Sequence, residues 1–258
     1  YVVDWYNLVI DHGEVDFHHP LRDKQHGRIW RISAKDRPLV DPPQLADSPT
    51  QTLLDALLVP EQWTRDQARR LLRERDASRV LPVLRQWIVG LDTGHPEYEQ
   101  HRLEALWVFQ GLRVAAPDLL QQTLASQDHH VRAASIRVLS DWFEQLPDGM
   151  KLLAVAIVDK HPQVRLEGEH ALRGIGTRES AELAMRVIRH PLDTYLDFSA
   201  WLTAYELQAE WLPALASGET LLGDDPDQLA FALASSGAVD HVHRLGRLVQ
   251  QGGLSEHS

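Results

Sequence analysis

Residues 128–142, DHHVRAASIRVLSDW, and residues 161–176, HPQVRLEGEHALRGIG, carry one pattern at a spacing of 33 residues. Val131, Ser135, Val138, Leu139 and Trp142 of the first stretch correspond to Val164, Gly168, Ala171, Leu172 and Ile175 of the second. Positions i, i+4, i+7, i+8 and i+11 form one stripe of a helix and would be split between the two faces of a strand, so both stretches are expected to be helical. An arginine, Arg132 or Arg165, directly follows the first apolar residue in each. A helix with a single apolar stripe must bury it against something, and copies at regular spacing bury one another. The expectation is an all-α chain in which paired helices stack as a solenoid.

The same ruler finds further copies on both sides. Upstream lie His101, Arg102, Ala105, Val108, Phe109 and Leu112, and before them Thr64, Arg65, Ala68, Leu71, Leu72 and Arg75. Downstream lie Leu196, Ala200, Thr203, Ala204 and Leu207, with Asp197 in the place of the arginine. The first positions, 64, 101, 131, 164 and 196, are 37, 30, 33 and 32 residues apart, the length of a two-helix repeat. The i+4 position is small every time: Ala68, Ala105, Ser135, Gly168 and Ala200. Small side chains there let a partner helix approach closely, and enlarging them is expected to overpack the contact by roughly 1–3 kcal/mol. Each copy is preceded by an apolar segment that reads as its partner helix: 51–58, 77–91, 119–125, 150–158 and 179–188. Beyond residue 208 the signal weakens into three shorter helices, 211–216, 226–234 and 239–250, the last a polar cap.

The arrangement of Asp128, Val131, Arg132, Ser135 and Leu139 resembles the second helix of a HEAT repeat. The resemblance implies a HEAT-like α-α superhelix, right-handed, over residues 51–250, with a disordered tail at 251–258. Residues 1–40 read differently. Two short β-prone runs, Tyr1–Trp5 and Arg28–Ser33, flank a stretch dense in His, Asp and Gly. Asp4-Trp5-Tyr6-Asn7, His12-Gly13, Arg22-Asp23 and His26-Gly27-Arg28-Ile29-Trp30-Arg31-Ile32 resemble the C-terminal end of a β-propeller blade, here as a hairpin remnant. Pro-rich residues 41–50 read as a linker. Propeller end followed by HEAT repeats is similar to the bacterial "membrane-bound dehydrogenase" family, in which a propeller like that of sorbosone and glucose dehydrogenases precedes HEAT repeats and often a cytochrome c domain. That resemblance implies a sugar- or alcohol-oxidising redox parent that is exported, placing the chain in the periplasm. Its partners would be the neighbouring propeller and cytochrome c domains. The start YVVDW, without methionine, reads as a fragment.

The chain has 258 residues, 37 acidic against 26 basic, a net charge of −11 and no cysteine. The charge argues against a broad phosphate-binding surface, so no nucleic acid is expected as partner. Without cysteine there is no thiolate nucleophile, cysteine-ligated metal or Cys-x-x-Cys-His haem attachment. No apolar run approaches the length of a membrane span. No catalytic, cofactor-binding or metal-ligating residue is assigned, and no cofactor is expected. The repeated Arg65, Arg102, Arg132 and Arg165 are expected to tie to acids or carbonyls at adjoining turns, such as Asp128 or Asp159. Arg69, Arg70, Arg73 and Arg75, interspersed with Glu74 and Asp76, read as a solvated face. Trp87, Trp107, Trp142 and Trp201 lie in apolar helical segments and are expected in the core.

Two weaker candidate sites complete the reading. Asp4, His12, His26 and Arg28 belong to an N-terminal cluster of imidazoles and carboxylates that lacks any recognised ligand spacing. An alternative function is a HEAT-type metalloenzyme related to deoxyhypusine hydroxylase or phycobilin lyases, for which Glu167, Glu169 and His170 are the residues to inspect. They form no His-Glu pair and are expected on an exposed polar face. The unpaired strands of residues 1–40 are expected to favour weak self-association.

Overall fold

The computed structural model describes residues 1–4, 16, 18–33, 35, 36, 38, 41–217 and 225–237. They fall into two compact units, Tyr1–Gln44 and Leu45–Ser258. In the first, strand β1 (Val2–Asp4) pairs antiparallel with β2 (Arg28–Trp30), in the register Val2 to Trp30, Val3 to Ile29 and Asp4 to Arg28. Both strands are shorter than the β-prone runs that contain them. Arg28 donates to the Asp4 carboxylate across the pair at 2.6 Å, which fixes the register with opposite charges on facing residues. Val2, Val3, Ile29 and Trp30 are all exposed.

The second unit is all-α. Twelve helices are seen among the described residues: α1 (Thr50–Asp55), α2 (Gln62–Arg73), α3 (Ala77–Val89), α4 (Tyr98–Gly111), α5 (Pro117–Leu124) and α6 (His129–Trp142). After them come α7 (Gly149–Ala156), α8 (Pro162–Ile175), α9 (Arg178–Ala184), α10 (Thr194–Glu206), α11 (Gln208–Ser217) and α12 (Pro226–Ser235). Helix α1 continues into a 3₁₀ turn at Ala56–Leu58, and α9 into another at Met185–Arg189. Packing is between neighbours: α2 meets α4, α4 meets α6, α6 meets α8, and α8 meets α10, while the shorter helices α1, α5, α7 and α9 lie against α2, α6, α8 and α10 in turn. The stripes supply this core. Val131, Val138, Leu139 and Trp142 of α6 are buried, as are Val164, Ala171 and Leu172 of α8. Among the described residues, no helix is long and apolar enough to cross a membrane.

The repeated small residues lie inside. Ala68, Ala105, Ser135 and Ala200 are fully buried, and Ser135 returns its hydroxyl to Val131 O at 2.8 Å. At Gly168 a Cβ would stand 3.5 Å from Ile157 N and 3.6 Å from the Ala156 Cβ. That is ordinary contact distance, so this position has room for a methyl group and for little more.

Starts and stops follow local chemistry. Asp128 caps α6 by accepting from His130 N at 2.8 Å, and Asp193 caps α10 from Tyr195 N and Leu196 N at 2.9 Å each. Helix α8 uses His161 in the same place, its Nδ1 accepting from Gln163 N at 3.3 Å, and ends on Gly176 in the left-handed region at φ 69°. Each of these caps stands three residues before the first stripe position. Asp225 caps α12 by accepting from Asp227 N and Gln228 N, which places a further first position at Gln228, 32 residues after Leu196. Ala232 then occupies the small position and is buried. The segment 239–250, expected as a last helix, and the tail 251–258 lie outside the described residues.

Two expectations are corrected. Trp87 and Trp142 are buried and Trp107 is half-buried, but Trp201 is 40% exposed and stacks on Tyr205 at 5.6 Å. The equivalent residues of the preceding long helices, Leu106, Ile136 and Glu169, are buried; α12 packs on α10 without covering this position. Glu167 and Glu169 are likewise not on an exposed face. Both are buried, because the residues on either side of the small position of α8 lie towards its helix neighbours.

Candidate interaction surface

The repeated arginines form a ladder along the starts of the long helices. Arg65 donates to Val59 O at 2.7 Å and Pro60 O at 2.8 Å, Arg132 to Ser126 O at 2.8 Å, and Arg165 to Asp159 O at 2.8 Å. In all three the first carbonyl lies six residues upstream, in the turn that leads into the arginine's own helix. The rest of the guanidinium reaches the next pair. Arg132 grips both oxygens of Asp159 at 2.8 Å, Arg165 donates to Pro191 O at 2.8 Å, and Arg102 donates to Gln122 O at 3.0 Å. Asp128, by contrast, serves α6 as a cap and takes no arginine. A planar five-donor group suits this double duty, since its fork satisfies the carbonyls of two turns at once. Burial pushes the Asp159 carboxyl up, but the Arg132 hydrogen bonds and the His161 backbone N–H outweigh it and hold the group below its ordinary range.

The arginines of α2 build a different feature. Arg69 pairs with Asp66 on its own helix and with Glu104 of α4, and its guanidinium lies over the Trp107 ring at 5.0 Å. Glu104 is buried, which pushes its carboxyl up, while Arg69 and then Arg65 pull it back. Arg75, just past α2, donates to Thr50 Oγ1 and Ser48 O, tying the end of α2 to the start of α1 and the residues ahead of it. Arg69 and Arg75 are thus half-buried structural groups, and only Arg70 and Arg73 remain of the solvated face. A groove of about 660 Å³ runs across α2, α4 and the end of α6, lined by Arg69, Arg70, Arg73, Trp107, Arg113 and Asp141 among others. The Arg73 side chain packs against Gly111, its Cβ, Cγ and Cδ 3.5–3.6 Å from where a Cβ would stand, which is ordinary contact distance. Arg113 ends α4 in the left-handed region at φ 58°. Its N–H reaches Gln110 O and that of Val114 reaches Phe109 O, the closing pattern usually given to glycine.

Chemistry of the ligating kind is dispersed. Glu167 pairs with Arg137 of α6, His170 is exposed, and Glu169 is wholly buried with no hydrogen-bond partner on either carboxylate oxygen. Burial raises the Glu169 carboxyl to about 8. Thr203 of α10 and Arg173 oppose this weakly, and the Thr203 hydroxyl is already given to Ser199 O at 2.8 Å. The three groups suggested for a metalloenzyme therefore occupy three separate surroundings. Among the described residues, His95, Glu97 and His101 approach one another, as do Asp128, His129 and His130. His95 Nδ1 already accepts from Glu97 N at 3.1 Å, and Asp128 is spent on its cap. In the N-terminal unit Asp4 is taken by Arg28, and His26 meets Asp23 at 2.8 Å; His12 lies outside the described residues.

No protein-family model matches the chain, and no curated protein does. Among solved structures it is similar to two engineered proteins. One is 16% identical with a TM-score of 0.44, covering 81% of this chain and 99% of the other. The second is 18% identical with a TM-score of 0.35, covering 80% and 89%.

Proposed function

We propose that the helical unit is a HEAT-type solenoid acting as a non-catalytic scaffold and protein-interaction module. The arginine ladder carries this reading. Arg132 and Arg165 are committed to holding successive helix pairs at fixed spacing, which is the work of a spacer or docking frame and of no reaction. The resemblance of Asp4-Trp5-Tyr6-Asn7 and His26–Ile32 to a propeller end supports a parent of the propeller, HEAT and cytochrome c kind. Such a parent would be exported and would oxidise a sugar or alcohol. The partners are then its neighbouring propeller and cytochrome c domains, held or oriented by the solenoid.

The test has two readings on the purified chain. Titration with the separately produced propeller and cytochrome c domains of a parent of this kind, followed by calorimetry, is expected to show saturable binding. Incubation with sugars and alcohols plus an artificial electron acceptor is expected to show no turnover. Turnover, or a haem absorption band in the chain itself, would replace the scaffold by an enzyme.

A further inference from the structure

We propose that the groove across α2, α4 and the end of α6 is a docking site for an acidic peptide segment of a partner protein. The proposal rests on the scaffold reading above and names the chemistry of one partner contact. The charge balance of the groove argues for it. Arg69 is neutralised by Asp66 and Glu104, and Arg70 stands 3.9 Å from Glu74, but Arg73 and Arg113 form no ion pair with any described residue. Two uncompensated guanidinium groups converging on one groove are conspicuous in a chain of net charge −11. The placement of Arg113 is also costly. Arg113 holds a backbone conformation that glycine adopts freely and arginine does not, and Arg73 lies against α4 at Gly111, where a methyl group would just make contact with it.

A carboxylate suits these groups, since each guanidinium offers a two-pronged fork to it. Trp107, half-buried under Arg69, supplies an apolar platform beside them for the residue next to the acid. A peptide fits the surroundings better than a nucleic acid. Asp66 and Asp141 also line the groove and would face a continuous phosphate backbone, and the acidic field of the whole chain repels a long polyanion. A short segment can place its carboxylates on Arg73 and Arg113 and leave uncharged atoms against the aspartates.

The experiment is fluorescence anisotropy of a fluorescein-labelled hexapeptide carrying two glutamates separated by uncharged residues, with the full chain at low ionic strength, repeated on three variants and with a labelled single-stranded oligothymidylate. Saturable peptide binding is expected, weakened about tenfold by Arg73→Glu and similarly by Arg113→Gly. Arg113→Gly is also expected to raise the thermal midpoint, because it relieves the backbone at the end of α4; a gain in stability with a loss of binding cannot come from misfolding. Arg186→Glu, in the 3₁₀ turn Met185–Arg189 and outside the groove, is expected to change affinity by less than about twofold. Absence of peptide binding, equal affinity in all variants, or tighter binding of the oligonucleotide by the same arginines would overturn the proposal. Such a failure would leave the scaffold reading standing if the neighbouring domains still bind, whereas loss of domain binding with peptide binding intact would overturn the scaffold alone.

Discussion

Glu169 is a carboxyl buried between α8 and α10, and its acid–base behaviour sets a stability profile. Its folded value, about 8, lies above the ordinary carboxyl value of 4.5. Folded protein therefore holds this proton more tightly than unfolded chain, and stability is fully present below pH 4.5. It falls as the pH rises towards 8 and then levels off, because above 8 both states are ionised. Glu169→Gln removes the titration and keeps the shape. At pH 7.5 it is expected to stabilise the protein by on the order of 3 kcal/mol, and at pH 4.5 to change little. Urea unfolding of both proteins across this range is the measurement, and parallel profiles would show that Glu169 is solvated or paired. The sequence hides this residue, since its position after Gly168 looks polar on a one-stripe reading. Only the approach of α10 buries it.

Between elements, Arg132 is the clearest tie. It joins α6 to the turn before α8 through both Asp159 oxygens and to its own leading turn through Ser126 O. Arg132→Ala strands a half-buried carboxylate and a buried carbonyl, and is expected to cost about 3–5 kcal/mol in denaturant unfolding. A loss below about 1 kcal/mol would mark the contact as incidental. Gly168 separates packing from propensity in the neighbouring helix. Gly168→Ala fits against Ile157 and Ala156, and gains helix propensity of up to about 1 kcal/mol; thermal unfolding should show no loss. Gly168→Leu overpacks the same contact and is expected to lose roughly 1–3 kcal/mol. The stripes, small positions and helix pairing were legible because one period of 3.6 governs them. The α12 copy was illegible as a repeat because Gln228 stands at the first stripe position and Ser235 and Ser236 occupy later ones. Trp201 misled for a related reason: whether its place is core depends on what the next helix covers. The groove could not be read at all, since it gathers side chains from three helices between residues 66 and 141.

For the molecule as a whole, the question is where the helical unit begins. Every buried apolar residue of its core lies at Leu45 or later among the described residues. Leu45 itself belongs to that core, and Ser48 O and Thr50 Oγ1 both accept from Arg75. The stretch read from composition as a linker, 41–50, thus contributes packing in its second half, which proline content alone does not disclose. Deleting residues 1–44 is expected to leave the helical circular dichroism and thermal midpoint close to those of the full chain. It should also reduce any self-association, since β1 and β2 form a two-stranded pair whose apolar side chains are exposed. Deleting residues 1–50 removes Leu45 and both partners of Arg75. A buried leucine contributes about 1.5–3 kcal/mol, and a hydrogen bond to a charged group about 1.5–3 kcal/mol, so the second truncation is expected to lower the midpoint by several degrees relative to the first. Equal midpoints would mean that the contacts of Leu45 and Arg75 contribute nothing. Loss of the helical signal in the 1–44 deletion would mean that the helical core depends on the N-terminal unit.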